Sequence, residues 1–426
     1  MRHLGGLGFL FFWLLAGSGL YLFVRLDTSS AGAYGSITGM EWWLGGVLRS
    51  VHRYAADAFV LAMLAHVLRE GLAGRFRGFR TFTWITGLPA LGLLFASGLV
   101  GYWLVWDARA QFSFQATLEA LGLGERGDAA PDRLFSLFVF LHIGLPLALL
   151  GAMWIHVVRL SGPRTRVPRR MLWAVMAILL GLAALRPADS EPHWDPGAAP
   201  RTVAVDWFYQ FAHPFMYGAG LPALWALVAG AAVFLLLLPW LGRPPVLAAA
   251  VVHPAECNGC GRCVADCPYQ AVLLEGKLAR VDASRCAACG ICAGACPSST
   301  PFRGTARLAT GIDLPDLPVD ALRERLRAVL ASGARKVAFA CDQADAPAHA
   351  LRLRCLAMLP PAFVDYALRH GADRVDAHGC GEDCAYRLGA EIAGARFDGT
   401  REPHLRGHLH LERHDHAFTF HRRGHA

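Results

Sequence analysis

The chain has 426 residues, of which 54% are hydrophobic and 17% charged, a balance too apolar for one soluble globule and a length that suits two or three domains. Its formal charge of +8 does not indicate a nucleic-acid partner, because the arginines lie mostly in short loops beside apolar runs. Most apolar residues precede Pro245 and all 12 cysteines follow it, in close groups that point to metal ligation rather than disulfides.

In chain order, residues Met1 to Leu26 combine a basic start with an apolar run and no small-residue cleavage site, so they read as a retained first helix. Apolar spans follow the same rule at Leu7 to Val24, Val51 to Leu68, Phe82 to Trp106, Leu134 to Leu160, Met171 to Leu185 and Leu221 to Leu241, each near the length that crosses hydrocarbon. Six transmembrane helices are expected. The loops after the second and fourth carry Arg69, Arg75, Arg77, Arg80 and Arg164, Arg166, Arg169, Arg170, whereas the others mix in Asp107, Glu119, Glu125, Asp128, Asp189, Glu191 and Asp206. That asymmetry places both termini in the cytoplasm.

His52 and His66 are fourteen residues apart in the second span, as are His142 and His156 in the fourth. Fourteen helical residues rise about 21 Å and fall about 40° short of whole turns, so each pair shares one face near opposite membrane surfaces. A histidine among lipid chains is costly without a partner, and two equal pairs suit two stacked haems in a four-helix core. The same spacing recurs in Gly5 and Gly19 and in Gly87 and Gly101, where a missing side chain leaves room for a macrocycle edge or for an ordinary helix contact. Arg49 and Arg69 stand three residues outside the first pair, placed either for haem propionates or as interfacial anchors.

Over roughly Gly5 to Leu241 the sequence resembles the cytochrome b family of quinol-oxidising bc complexes. The resemblance rests on Arg49-Ser-Val-His52, His66-Val-Leu-Arg69, Trp84-Ile-Thr-Gly87, Gly101-Tyr102 and the two histidine pairs. It implies that His52 and His142 ligate an outer haem b, His66 and His156 an inner one. Asp206-Trp207-Phe208-Tyr209 resembles the family's Pro-Glu-Trp-Tyr motif at the outer quinol site, with Val205 and Asp206 replacing its first two residues. Asp206 is then a candidate quinol proton acceptor or a plain loop carboxylate, and Asp57 a candidate for proton movement or a polar helix contact. The family's glycine-glutamine pair after the third helix is altered to Trp106-Asp-Ala-Arg-Ala-Gln111.

After a Pro-bearing linker, Cys257, Cys260, Cys263 and Cys267-Pro268 repeat as Cys286, Cys289, Cys292 and Cys296-Pro297, the run of a two-cluster bacterial ferredoxin. The fourth cysteine of each run serves the other cluster. Cys257, Cys260, Cys263 and Cys296 are thus assigned to one 4Fe-4S centre, and Cys286, Cys289, Cys292 and Cys267 to the second. Beyond it, Val319 to Ala331 and Phe363 to His370 read as helices and Lys336 to Ala340 and Arg374 to Ala377 as strands, which suggests a small α/β domain. Cys341, Cys355 and Cys380 follow strand ends, so with Cys384 they can meet in one crevice. Zinc and buried free thiols stay open beside iron–sulfur. The stretch Cys355 to Val364 with Gly371-Ala-Asp-Arg-Val375 and Gly379-Cys380 resembles the iron–sulfur (delta) subunit of methyl-viologen-reducing hydrogenases, which implies a 2Fe-2S centre exchanging electrons with a flavoprotein. Ala344 stands where that family has a further cysteine.

The expected organisation is a mainly α transmembrane domain over 1–243, a linker over 244–254, a small α+β ferredoxin over 255–302, a small α/β domain over 303–400 and a His/Arg-rich tail over 401–426. The expected function is a membrane electron-transfer subunit of a quinone-linked oxidoreductase in the bacterial cytoplasmic membrane, with its iron–sulfur domains on the cytoplasmic side. Its expected partners are membrane lipid, the quinone pool and a cytoplasmic flavoprotein, hydrogenase or formate-dehydrogenase-type subunit, and a homodimer is compatible with it. The rival readings are a membrane ferredoxin-type assembly or reductase factor, which has no need of two histidine pairs, and a redox sensor.

Overall fold

A computed structural model describes residues 3–123, 131–195, 203–204, 206, 208–242, 247–381, 384–407, 409–414 and 417–422. Val205, Trp207, Glu125 and Asp128, which the sequence reading used, lie outside these residues. The chain divides into two compact units, Met1–Val158 with Pro163–Arg243, and Arg159–Gly162 with Pro244–Ala426.

The first unit is helical: α1 Leu4–Arg25, α2 Ser30–Thr38, α3 Val47–Leu72, α4 Thr81–Trp103, α5 Ala108–Ala120, α6 Pro131–Val157, α7 Arg169–Leu185, α8 Ala212–Ala219 and α9 Leu221–Leu237. Of the six expected spans, four are long and apolar enough to cross a membrane: Leu4–Arg25, Gly78–Trp103, Pro131–Val157 and Leu221–Trp240. The helix α3 is long enough but carries Arg49, Arg53, Asp57, Arg69 and Glu70, while α7 has only 17 residues. The apolar helices keep Trp13, Leu20, Phe140, Leu147 and Leu236 exposed, as lipid contact requires. Phe11 of α1, Phe59 of α3, Val100 of α4 and Phe135 and Phe138 of α6 are buried together in one core.

Three short helices lay outside the sequence reading. In α2, Ser29 caps the first turn by accepting from the Gly32 amide. In α5, Asp107 does the same for Ala110 at 2.8 Å and also accepts from the Glu191 amide, tying two loops together. The third is α8, and short polar helices of this kind carry no 20-residue apolar signal.

In the second unit β1 Val251–Val252 pairs with β4 Ile312–Asp313, and these strands bracket α10 Arg262–Ala265, the hairpin β2 Val272–Glu275 with β3 Leu278–Val281, and α11 Ile291–Ala295. The ferredoxin-like block therefore reaches into the stretches read as linker and as the start of the α/β domain. Its internal repeat extends to the backbone: Gly261 and Gly290 have φ of 73° and 75°, and Gly259 and Ala288 have 69° and 51°. At Gly259 a Cβ would meet the Lys277 carbonyl oxygen at 2.5 Å, so glycine is required there.

The remainder is one five-stranded sheet with α12 Val319–Ala331, α13 Ala362–Arg369 and α14 Gly389–Phe397. Its strands β5 Lys336–Cys341, β6 Leu351–Leu353 and β7 Arg374–His378 are parallel, β9 Ala417–Arg422 pairs antiparallel with β7, and β8 Leu409–His414 pairs antiparallel with β9, in the order β6-β5-β7-β9-β8. The tail expectation is corrected here, because residues 409–414 and 417–422 form a hairpin that buries Leu409, Thr419 and Phe420. Strand alternation is present in that segment, but a dense run of His and Arg on the other positions hides it.

Candidate electron-transfer sites

The helix α3 presents His52 and His66, and α6 presents His142 and His156. Two imidazoles that share one metal through Nε2, each about 2 Å from it, have ring centres about 6 Å apart. The rings of His52 and His142 lie 6.3 Å apart. His66 neighbours His156 as the second pair.

The other ring nitrogen of three histidines is already engaged. His142 Nδ1 lies 3.0 Å from the Ser97 carbonyl oxygen, which can only accept, so that nitrogen carries the proton. His52 Nδ1 lies 2.9 Å from Ser18 Oγ, whose own proton goes to the Leu14 carbonyl at 2.7 Å. His156 Nδ1 lies 3.3 Å from Thr86 Oγ1, which donates to the Phe82 carbonyl at 2.8 Å. The two hydroxyls, like the Ser97 carbonyl, act as acceptors, and in all three histidines Nε2 keeps its lone pair for a metal. His66 Nδ1 is buried without such a bond.

Three of the four singled-out glycines touch these rings. A Cβ would come to 3.1 Å of the His52 ring at Gly19, 2.9 Å of His142 at Gly101 and 2.9 Å of His156 at Gly87, whereas nothing lies within 4 Å at Gly5. The glycines on α1 and α4 thus clear space for imidazoles on α3 and α6. Gly5, fourteen residues before Gly19, is the open one.

The arginines and Asp206 have local partners. Arg49 donates to the Asp189 carbonyl at 3.1 Å and to Ser190 Oγ at 2.5 Å, and Arg69 donates to Glu70 at 2.9 Å. Asp206 is a hub: one oxygen accepts from the amides of Phe208 and Tyr209, each at 2.8 Å, and the other takes the Tyr102 hydroxyl at 2.6 Å and the Arg53 guanidinium. Arg53 also pairs with Asp57 one turn away. The buried network Asp57, Arg53, Asp206 and Tyr102 was only half legible in the sequence, which flagged the two carboxylates but not the residues joining them.

In the second unit, none of the 12 cysteines forms a disulfide. Cys257, Cys260, Cys263 and Cys296 line one cavity with Leu274, Ala279 and Ile312, and Gly311 closes it, since a Cβ there would lie 3.1 Å from Cys296 Sγ. Burial first and the three neighbouring thiols next push the Cys263 thiol up to about 11. Burial, followed by the thiols around them, likewise raises Cys289 and Cys292, whose neighbours include Cys286 and Cys267. Each set of four is the one that the crossed ferredoxin pattern assigns.

Cys341 ends β5, Cys355 follows β6 by two residues and Cys380 follows β7 by two. Three adjacent parallel strands thus deliver three thiols to one sheet edge. The thiols stand in a chain of neighbours, Cys341 beside Cys380, Cys380 beside Cys384 and Cys384 beside Cys355. The neighbouring Cys355 thiol is the main reason that the Cys384 thiol is pushed up to about 12. Thiols this crowded hold their protons until a cation compensates the charge, so this donor set fits a thiolate-bound metal group whose binding releases protons. Among the described residues no group of three or more His, Cys, Asp or Glu has single-ion spacing.

Comparison with known proteins divides the chain in the same order. The family cytochrome b/b6/petB matches residues 2–119, the 4Fe-4S dicluster domain matches 256–300, and the methyl-viologen-reducing hydrogenase delta subunit matches 328–414. The first match contains His52 and His66, the second all eight ferredoxin-type cysteines, and the third the last four. The chain is 29% identical over 182 residues to cytochrome b6 of Prochlorococcus marinus (strain AS9601), covering 38% of this chain and 82% of that protein. It is 34% identical over 106 residues to cytochrome b6 of Tupiella akineta, covering 24% and 49%. Among solved structures, a chain of "Hyperthermophilic respiratory Complex III" aligns with a TM-score of 0.46 and 20% identity over 58% of this chain and 77% of that one. By its family matches the chain is a membrane electron-transfer protein with a part similar to cytochrome b, a part similar to the 4Fe-4S dicluster domain and a part similar to the hydrogenase delta subunit.

Proposed function

We propose that this chain is the membrane subunit of a quinone-linked oxidoreductase, relaying electrons between a cytoplasmic redox partner, three iron–sulfur centres, two b haems and a quinone. The observation that carries the reading is the pair of imidazole sets on α3 and α6, three of whose Nδ1 protons are fixed so that Nε2 faces a metal. His52 and His142 hold the outer haem, His66 and His156 the inner. Bound haem and iron–sulfur groups supply one-electron chemistry, and the protein supplies ligands, spacing and exclusion of water.

Six helices span the membrane in this reading, with α3 and α7 shielded by the four apolar ones. The arginine-rich loops after α3 and α6 support a cytoplasmic location for the iron–sulfur domains at a bacterial inner membrane. Arg69 and Arg49 act near the haem propionates while anchored through Glu70 and Ser190. The Cys341, Cys355, Cys380 and Cys384 set holds a 2Fe-2S centre that meets a flavoprotein, hydrogenase or formate-dehydrogenase-type partner.

Asp206 accepts a quinol proton at the outer site. Its carboxylate already takes four donors, so a proton can bind only as one of them leaves. Arg53 is the donor with an alternative, because Asp57 waits on its own helix. Asp206→Asn should leave the haem spectra intact while lowering turnover with a quinol analogue, and unchanged turnover would remove Asp206 from the reaction.

Pyridine haemochrome of the purified protein tests the reading directly. It should give near two haem b per chain, falling to near one in a His66→Ala, His156→Ala double variant. Full haem retention in that variant would refute the ligand assignment.

A further inference from the structure

Within the second unit, the loop that presents Cys286, Cys289 and Cys292 packs against the segments that present Cys355 and Cys384. Gly389 begins α14 at this contact, where a Cβ would lie 2.5 Å from Cys355 Sγ, 3.0 Å from Cys384 Sγ and 3.9 Å from Ile291 Cδ1. On the other side of Ile291, a Cβ at Gly290 would meet Met358 Sδ at 2.5 Å. Ile291 adjoins Cys292, and Met358 follows Cys355 by three residues. Glycines at both points let two cysteine-bearing backbones approach with one layer of side chains between them.

One arginine locks the contact. Arg396 on α14 is 1% exposed and donates to the Ala357 carbonyl at 2.6 Å and the Ile291 carbonyl at 3.2 Å, while pairing with Asp266. Ala357 lies two residues beyond Cys355, Ile291 next to Cys292, and Asp266 next to Cys267. A single guanidinium therefore ties together three ligand-bearing segments. Arg354 adds a second tie, donating to the Ala288 carbonyl at 3.0 Å, beside Cys289. By contrast, the cavity of Cys257, Cys260, Cys263 and Cys296 is lined by Leu274, Ala279, Gly311 and Ile312, and by none of the described residues from Arg354 to Arg396.

We infer that the ferredoxin centre held by Cys267, Cys286, Cys289 and Cys292 is the direct electron-exchange neighbour of the Cys341, Cys355, Cys380 and Cys384 centre, across the Gly389–Ile291–Met358 contact, with Arg396 as the residue that positions it. The inference rests on the iron–sulfur reading of both cysteine sets. One electron leaves the iron–sulfur centre on one side of the contact and enters the one on the other, and no proton or bond is exchanged. The third centre, at Cys257, Cys260, Cys263 and Cys296, is then reached only through the middle one. Arg396 also places a buried positive charge beside two anionic groups, which favours their reduced states.

The test is electron paramagnetic resonance of the full-length protein, reduced anaerobically. Spin–spin broadening of the Cys341, Cys355, Cys380 and Cys384 signal should disappear in a Cys286→Ala, Cys289→Ala variant and persist in a Cys257→Ala, Cys260→Ala variant. The reverse pattern overturns the inferred order. A full chain that shows both ferredoxin signals but none from the last four cysteines overturns the iron–sulfur reading of that set instead. In Arg396→Met, Arg401 still pairs with Asp266. The broadening should weaken and both midpoint potentials should move negative, with Arg396→Lys restoring part of each. Unchanged broadening and potentials in Arg396→Met, with every centre assembled, would show that Arg396 does not position the pair.

Discussion

At the scale of single residues, the sequence singles out the histidines and cysteines because their chemistry leaves few alternatives. An imidazole in an apolar helix needs a partner, and eight thiols in two matching runs need metal. Their supporting residues were not legible, since a lone Ser or Thr in such a helix usually bonds its own backbone. Ser18 and Thr86 do this and also accept from His52 and His156. Removing such a partner typically weakens metal binding about 10–100-fold. Thr86→Val keeps the shape and removes the acceptor, so haem titration of the variant should show one site weakened about 10-fold and the other unchanged. Affinities unchanged from the parent at both sites would mean that Thr86 only bonds the Phe82 carbonyl. Ser97 acts through its backbone carbonyl, and its side chain is expected to matter less.

At the scale of elements, the long helices fell close to their expected positions because apolar length is a strong signal. The short helices α2, α5 and α8 carry no such signal. The hairpin β8–β9 was misread for a related reason: its inward positions Leu409 and Phe420 are interrupted by His and Arg, and composition outweighed alternation. Its place in the sheet makes a definite prediction. Phe420 is fully buried and packs edge-on to Phe397 at 5.1 Å, so Phe420→Ala should cost about 3–5 kcal/mol. Denaturant unfolding of the second unit within the full chain should show this as a lowered midpoint. A midpoint unchanged from the parent would return the segment to the status of a tail.

At the scale of the whole molecule, the order of the three parts was legible because each carries its own ligand pattern, and the three family matches follow that order. What sequence spacing did not carry is how the cysteine sets adjoin in the second unit, because those contacts run through Gly389, Ile291 and Arg396, residues that hold no metal themselves. Five one-electron centres in a single chain form the central claim. An anaerobic redox titration of the purified protein, followed by haem absorbance and electron paramagnetic resonance on the same samples, tests it most directly. The account predicts two low-spin b haem components and three separable iron–sulfur components, each titrating as one electron. A single haem component, or iron–sulfur signals confined to fewer than three centres in a protein with full iron occupancy, would contradict it.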